Sequence, residues 1–227
     1  MNSVLAGVDE IVGRIREQFE ELDAGREEAF AISRQVIRVA STCIKSTHRG
    51  QFAEANQLLQ EAASLNARML KALECCQQLR WGGFVSDAQK EYAEAAIVLA
   101  CITGTRIPSP DEMEVDYGSW LNGLAEAAGE LRRHVLDLIR RDEIDKAERF
   151  LDAMEDIYHI TMGFDYPNAI CVGLRQRSDA VRGFVERTRG DVTNALRQRR
   201  LENRMSELQK AIRRLEHVQT DPGEATQ

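Results

Sequence analysis

The chain has 227 residues, 30 Lys and Arg against 37 Asp and Glu, a formal net charge of −7, 43% hydrophobic residues and four prolines. That length can bury one sizeable core, and the composition is that of a helix-rich globular protein, not a low-complexity or membrane one. The acidic balance argues against a generic polyanion binder and leaves room only for a locally basic groove.

Helical periodicity runs through nearly the whole chain, and no alternating strand pattern of useful length occurs, so the expected class is all-α. The start, Met1-Asn-Ser-Val-Leu-Ala-Gly-Val-Asp-Glu10, lacks the basic region and long apolar stretch of a signal peptide. No later run approaches bilayer length either. A cytoplasmic location with no membrane partner is expected. A first helix is expected over about Ser3 to Leu22 and a second from about Arg26 to His48, ended by Arg49-Gly50. On the second, Arg34, Arg38, Lys45, His48 and Arg49 fall within an arc of roughly 100°, opposite the apolar Val36, Val39, Ala40, Cys43 and Ile44. Such a stripe either tracks a phosphate backbone or is a solvated polar face.

A third helix is expected over Gln51 to Leu79, ended by Trp81-Gly-Gly-Phe84, with Ser86 as N-cap of the next. That next segment, Asp87 to Ile102, is apolar almost all round, which marks a buried helix. It nevertheless carries Glu91 and Glu94, roughly 60° apart on one face. Buried carboxylates must be protonated, ion-paired or metal-bound, and an oxygen-only acidic set suits Mg²⁺ or Mn²⁺. An arginine from a neighbouring helix, or a solvated helix end, is the plainer alternative. Gly104 to Gly118, with Pro108 and Pro110, reads as a loop.

The helix expected over about Ser119 to Arg141 places Glu126 and Glu130 at i, i+4 among the small residues Gly123, Ala125, Ala127 and Gly129, where another backbone can approach closely. If the two acidic helices pack together, four carboxylates meet, as in helical bundles that hold divalent metals. Helices over about Glu143 to Met162, Pro167 to Gly190 and Asp191 to His217 follow, then a disordered tail over 218–227. In the C-terminal half Leu174, Val181, Phe184, Val185, Val192 and Leu196 form an apolar strip, expected to contribute to a subunit interface. The five cysteines are odd in number and lack zinc spacing, so they read as buried thiols.

Several separated motifs resemble one family in order. Leu22-Asp-Ala-Gly-Arg-Glu-Glu-Ala-Phe-Ala-Ile-Ser-Arg34 and His48-Arg49-Gly50 look like the N-terminal helix of translin and translin-associated factor X. Gln89-Lys-Glu-Tyr-Ala-Glu-Ala95 resembles the active-site helix of the factor X branch, and Gly123-Leu-Ala-Glu-Ala-Ala-Gly-Glu-Leu-Arg132 its second acidic helix. Asp165-Tyr-Pro167, Leu174-Arg and Arg187-Thr-Arg-Gly190 continue the likeness, which spans about residues 15 to 190 and suggests an archaeal member.

The resemblance implies a single-domain seven-helix bundle over 1–217, with a helical C-terminal extension from about 191, assembling into a hollow homo-oligomeric shell, by resemblance an octamer. It further implies a Mg²⁺-dependent endoribonuclease preferring single-stranded RNA, with duplex also possible. Glu91, Glu94 and Glu126 are the expected catalytic and metal-binding set, with Glu130 as a further metal ligand. Arg34, Arg38, Lys45 and Arg49 are expected to hold the RNA backbone. Glu126 departs from the aspartate usual in the family by one methylene. A non-catalytic shell binding single-stranded RNA or DNA is the alternative, and a purely structural helical assembly protein the third.

Overall fold

The structure, a computed structural model, describes residues 7–74 and 76–219. Among these residues there are seven α-helices and no strand: α1 (Val8–His48), α2 (Phe52–Ala72), α3 (Gly83–Thr103), α4 (Pro110–Met113), α5 (Tyr117–Arg140), α6 (Ile144–Met162) and α7 (Leu174–Gln219). No helix is long and apolar enough to cross a membrane.

Two boundaries read from the sequence do not exist. Asp23-Ala-Gly25 does not interrupt α1, which runs unbroken for 41 residues, and Gly190 does not interrupt the 46-residue α7. A glycine inside a helix costs about 1 kcal/mol against alanine, too little by itself to stop a long helix whose flanking turns favour the helical state. Other ends are set by local chemistry. Ser86 lies inside α3, and the residue preceding that helix is the extended Gly82, which makes no side-chain cap. The Asp116 side chain accepts from the backbone N–H groups of Gly118 and Ser119 to open α5. In the loop before it, Ser109 and Glu112 form a reciprocal capping box around α4. The expected helix from Pro167 begins only at Leu174, after a run of turns.

The helices enclose two adjoining cores. Val36 of α1, Leu65 and Met69 of α2, and Val85 and Tyr92 of α3 build the first. Leu131 and Val135 of α5, Met154 of α6, and Leu174, Val181, Val185 and Val192 of α7 build the second. Between them lies α3, which contributes Ile97 and Val98 to the second core and is buried continuously from Tyr92 to Ala100, as its all-round apolar pattern requires. The apolar strip of α7 is therefore spent inside the protomer: Leu174, Val181, Val185 and Val192 are buried and Phe184 and Leu196 pack against the same core. An amphipathic stripe has the same pattern whether its own bundle or a neighbour covers it, and here the bundle does. Cys43, Cys76 and Cys171 are buried, while Cys101 is half-buried; Cys75 and most of the expected tail lie outside the described residues.

Helices α3 and α5 approach closely at Gly123. A Cβ there would stand 2.8 Å from both the Ala93 Cβ and the Lys90 carbonyl oxygen and 2.9 Å from the Glu94 nitrogen. Gly129, one and a half turns on, has only the Phe184 ring edge at 3.4 Å. Gly123→Val should therefore cost about 1–3 kcal/mol by overpacking, read as a lowered melting temperature. Gly129→Ala should raise the melting temperature slightly through helix propensity. Equal effects of the two would contradict the packing.

Candidate metal centre and nucleic-acid interface

The approach at Gly123 sets the α3 acids against those of α5. Glu91, Glu94 and Glu126 each place one carboxylate oxygen so that the three lie within 4.8 Å of one another. Glu94 is buried and the other two are half-buried. Burial, followed by the charges of Glu91, Glu126 and Glu130, pushes the Glu94 carboxyl up to about 8, with Lys90 partly opposing.

Two cations hold this cluster. The Lys90 ammonium lies 3.2 Å from Glu91 Oε1 and 3.0 and 2.8 Å from the two oxygens of Glu126. Burial works to lower the Lys90 pKa, but its hydrogen bonds and charge pairing with Glu126 and Glu91 more than offset this and leave it raised. From α7, Arg177 Nε donates to Glu126 Oε1 at 2.7 Å. The sequence reading missed both. Lys90 had a local signal, being adjacent to Glu91; Arg177, 51 residues from Glu126, had none.

Glu130 stands apart from the three-oxygen group. His48 Nε2 lies 2.6 Å from its Oε2, and Arg133 is 3.8 Å away. The hydrogen bond with His48 holds the Glu130 carboxyl below its usual range despite burial. His48, placed by sequence on the exposed stripe, instead has a buried side chain that ties the end of α1 to α5.

Arg34, Arg38, Lys45 and Arg49 are all exposed, and among the described residues none is ion-paired. Arg34 stacks over the Phe30 ring at 4.4 Å. Lys45 and Arg49 share a cleft of about 720 Å³ with Arg132, Arg133, Arg140 and Arg141 of α5 and its end, where Asp137 is the acid present. The four α5 arginines were absent from the sequence reading, because a cationic helix end is ordinarily explained by the helix dipole. The His48–Glu130 contact lies between this cleft and the acidic cluster, so the basic face and the carboxylates adjoin.

No family-level sequence profile matches the chain. It is similar to an uncharacterized protein of Methanocaldococcus jannaschii, 28% identical over 188 residues, 82% of this chain and 83% of that protein. Among solved structures it is similar to AfC3PO, with 32% identity and a TM-score of 0.74 over 83% of this chain and 98% of the other. It is also similar to AfC3PO in a complex with duplex RNA, with 32% identity and a TM-score of 0.72 over 83% and 97% of the two chains. Apo-NeC3PO shares the fold at 22% identity, with a TM-score of 0.73 over 86% of this chain and 100% of that one. With 32% identity to AfC3PO over 83% of its length and nearly the whole of that chain, and the same helical fold, the chain belongs to the translin and translin-associated factor X family.

Proposed function

We propose that this protein is a metal-dependent endoribonuclease centred on Glu91, Glu94 and Glu126, acting on RNA held by its basic face within a homo-oligomer. The observation that carries the reading is the three carboxylate oxygens within 4.8 Å beside a basic cleft, in a chain related to a protein that has been solved with duplex RNA. By resemblance the preferred substrate is single-stranded RNA and the assembly an octamer.

The residues fit a hard divalent cation. Oxygens shared by one Mg²⁺ at 2.0–2.1 Å stand at most about 4.2 Å apart, so small side-chain adjustments close the set. Lys90, already seated between Glu91 and Glu126, shows that the site accepts a positive charge. The longer Glu126 reaches both α3 acids, which supports its serving in place of aspartate. When bound, Mg²⁺ or Mn²⁺ would supply Lewis acidity at the scissile phosphate and a water of lowered pKa. Glu91, Glu94 and Glu126 would hold it. Lys45, Arg49 and the arginines of α5 would grip flanking phosphates, giving affinity without base specificity, and the His48–Glu130 contact would fix their distance from the cluster. Arg34 and Arg38 would extend the track along α1.

One observation favours a non-catalytic RNA-binding shell instead: Lys90 and Arg177 together neutralise Glu126, as in a structural ion-pair network. Cleavage of labelled single-stranded RNA in Mg²⁺ and in EDTA, beside a binding assay, separates the two. Glu91→Ala and Glu94→Ala should each lower cleavage by orders of magnitude while RNA binding persists; wild-type rates in both would sink the catalytic assignment.

The Glu94 carboxyl also makes metal-free stability depend on pH. It titrates near 4.5 when unfolded and about 8 when folded, so between these values the folded state binds more protons and stability falls as pH rises. Melting temperatures in EDTA should therefore drop from pH 5 to pH 8 (roughly the two ends of that window), and Glu94→Gln should flatten the slope. An unchanged slope in the variant would refute the assignment. In the groove, Arg38→Ala with Lys45→Ala should weaken binding to any RNA sequence and reduce the slope of log K against log salt by about 2, at roughly 0.7–0.9 per phosphate contact. An unaltered slope would place these side chains in bulk solvent.

A further inference from the structure

Both long helices overrun the bundle. On α1 every residue from 9 to 21 is exposed, and on α7 every residue from 200 to 215. Each overhang carries an apolar stripe. On α1 it is Val8, Val12, Ile15 and Phe19, with Phe19 64% exposed, running into Leu22, which packs on the first core; on α7 it is Leu201, Met205, Leu208, Ile212 and Leu215, with Leu215 66% exposed. The two share one spacing, alternating steps of four and three, which is the a/d seam of a coiled coil. The α7 seam spans about 21 Å and the free part of the α1 seam about 17 Å.

The α7 seam faces away from its own protomer. At about 100° per residue, and taking Val192 as zero, the core-facing Val181, Val185 and Leu196 lie within roughly 40° of it. The seam from Leu201 to Leu215 lies between roughly 140° and 220°, on the opposite side. A straight helix cannot lay both stripes on one bundle.

Nor can the seams of one chain meet. Lys45 and Arg49 at the finish of α1 share a cleft with Arg140 and Arg141 at the finish of α5. Past this end α7 leaves the bundle, its Arg199 paired with Asp145 at the start of α6. The α1 overhang begins roughly 40 Å back along the helix, at the other end of the molecule.

Charge selects the partner. Residues 8–25 hold six acids and two arginines, whereas residues 200–215 hold five cations and two acids. Like overhangs repel and unlike ones attract.

We propose that the acidic α1 overhang of one copy pairs with the basic α7 overhang of a second copy as an intermolecular two-helix coiled coil. The contact is heterologous, joining two different surfaces of identical chains.

Disulfide trapping of the full-length protein tests it without metal or RNA, so its outcome is independent of the nuclease reading. Phe19→Cys, mixed in turn with Leu201→Cys, Met205→Cys, Leu208→Cys and Ile212→Cys and oxidised with diamide, should give in at least one mixture covalent dimers on denaturing gels whose peptides join position 19 to the α7 seam. These dimers should fade at high salt and disappear when Ile15→Asp or Leu215→Asp is added. Because the substituted residues are exposed, the melting temperature of the bundle should hold in these variants. Disulfides joining only α7 to α7 would mean that α7 pairs with itself, and would overturn the proposal. So would the absence of an α1–α7 disulfide from every mixture.

Discussion

The contact of α3 and α5 at Gly123 governs this bundle. Because that residue lacks a Cβ, the α5 backbone comes within touching distance of Lys90, Ala93 and Glu94, and carboxylates from two helices are forced together in a partly buried space. Like charges so placed are costly unless countered. The compensating partners come from three helices: Lys90 from α3, Arg177 from α7 and His48 from α1, each bound to an acid of α5. The charges that make the site chemically useful thus also tie α1, α3 and α7 to α5.

The acids of α5 mark where α1, α3 and α7 meet it. Farther along α5, Arg132 donates to Thr188 and pairs with Asp191 of α7, a second tie between these two helices. Negative charge is gathered inward at the acidic cluster while exposed arginines collect at the finish of α1 and α5. A chain of net charge −7 can hold a basic cleft because its charges are segregated along its helices, not averaged over its surface.

Much of this was legible in the sequence where the signal was local. The all-round apolar pattern of α3 announced a buried helix, the spacing of Glu91 with Glu94 and of Glu126 with Glu130 announced shared faces, and the glycine-rich run announced a close approach. What was not legible depended on distant partners. Arg177 reads as one more surface arginine until α7 is laid beside α5, and His48 belongs by angle to a polar stripe until Glu130 meets it. The supposed breaks at Asp23-Ala-Gly25 and Gly190 failed because the penalty of one glycine is small beside the helical preference of the long segments that flank it. The α7 strip from Leu174 to Leu196 was visible as a stripe, but periodicity alone does not say which molecule covers it.

The length of α7 has a geometric consequence. Nine residues separate Val192, the last fully buried position of the inward stripe, from Leu201, the first of the outward one, and nine residues are two and a half turns, a half-revolution. Helix phase is therefore what aims the extension. Inserting or deleting a single residue between them would swing the outer stripe by about 100° while leaving composition, charge and helicity essentially as they are. In this chain the exposed rod behaves as a pointer: its reach is set by how many residues it has, and its bearing by that number modulo one turn.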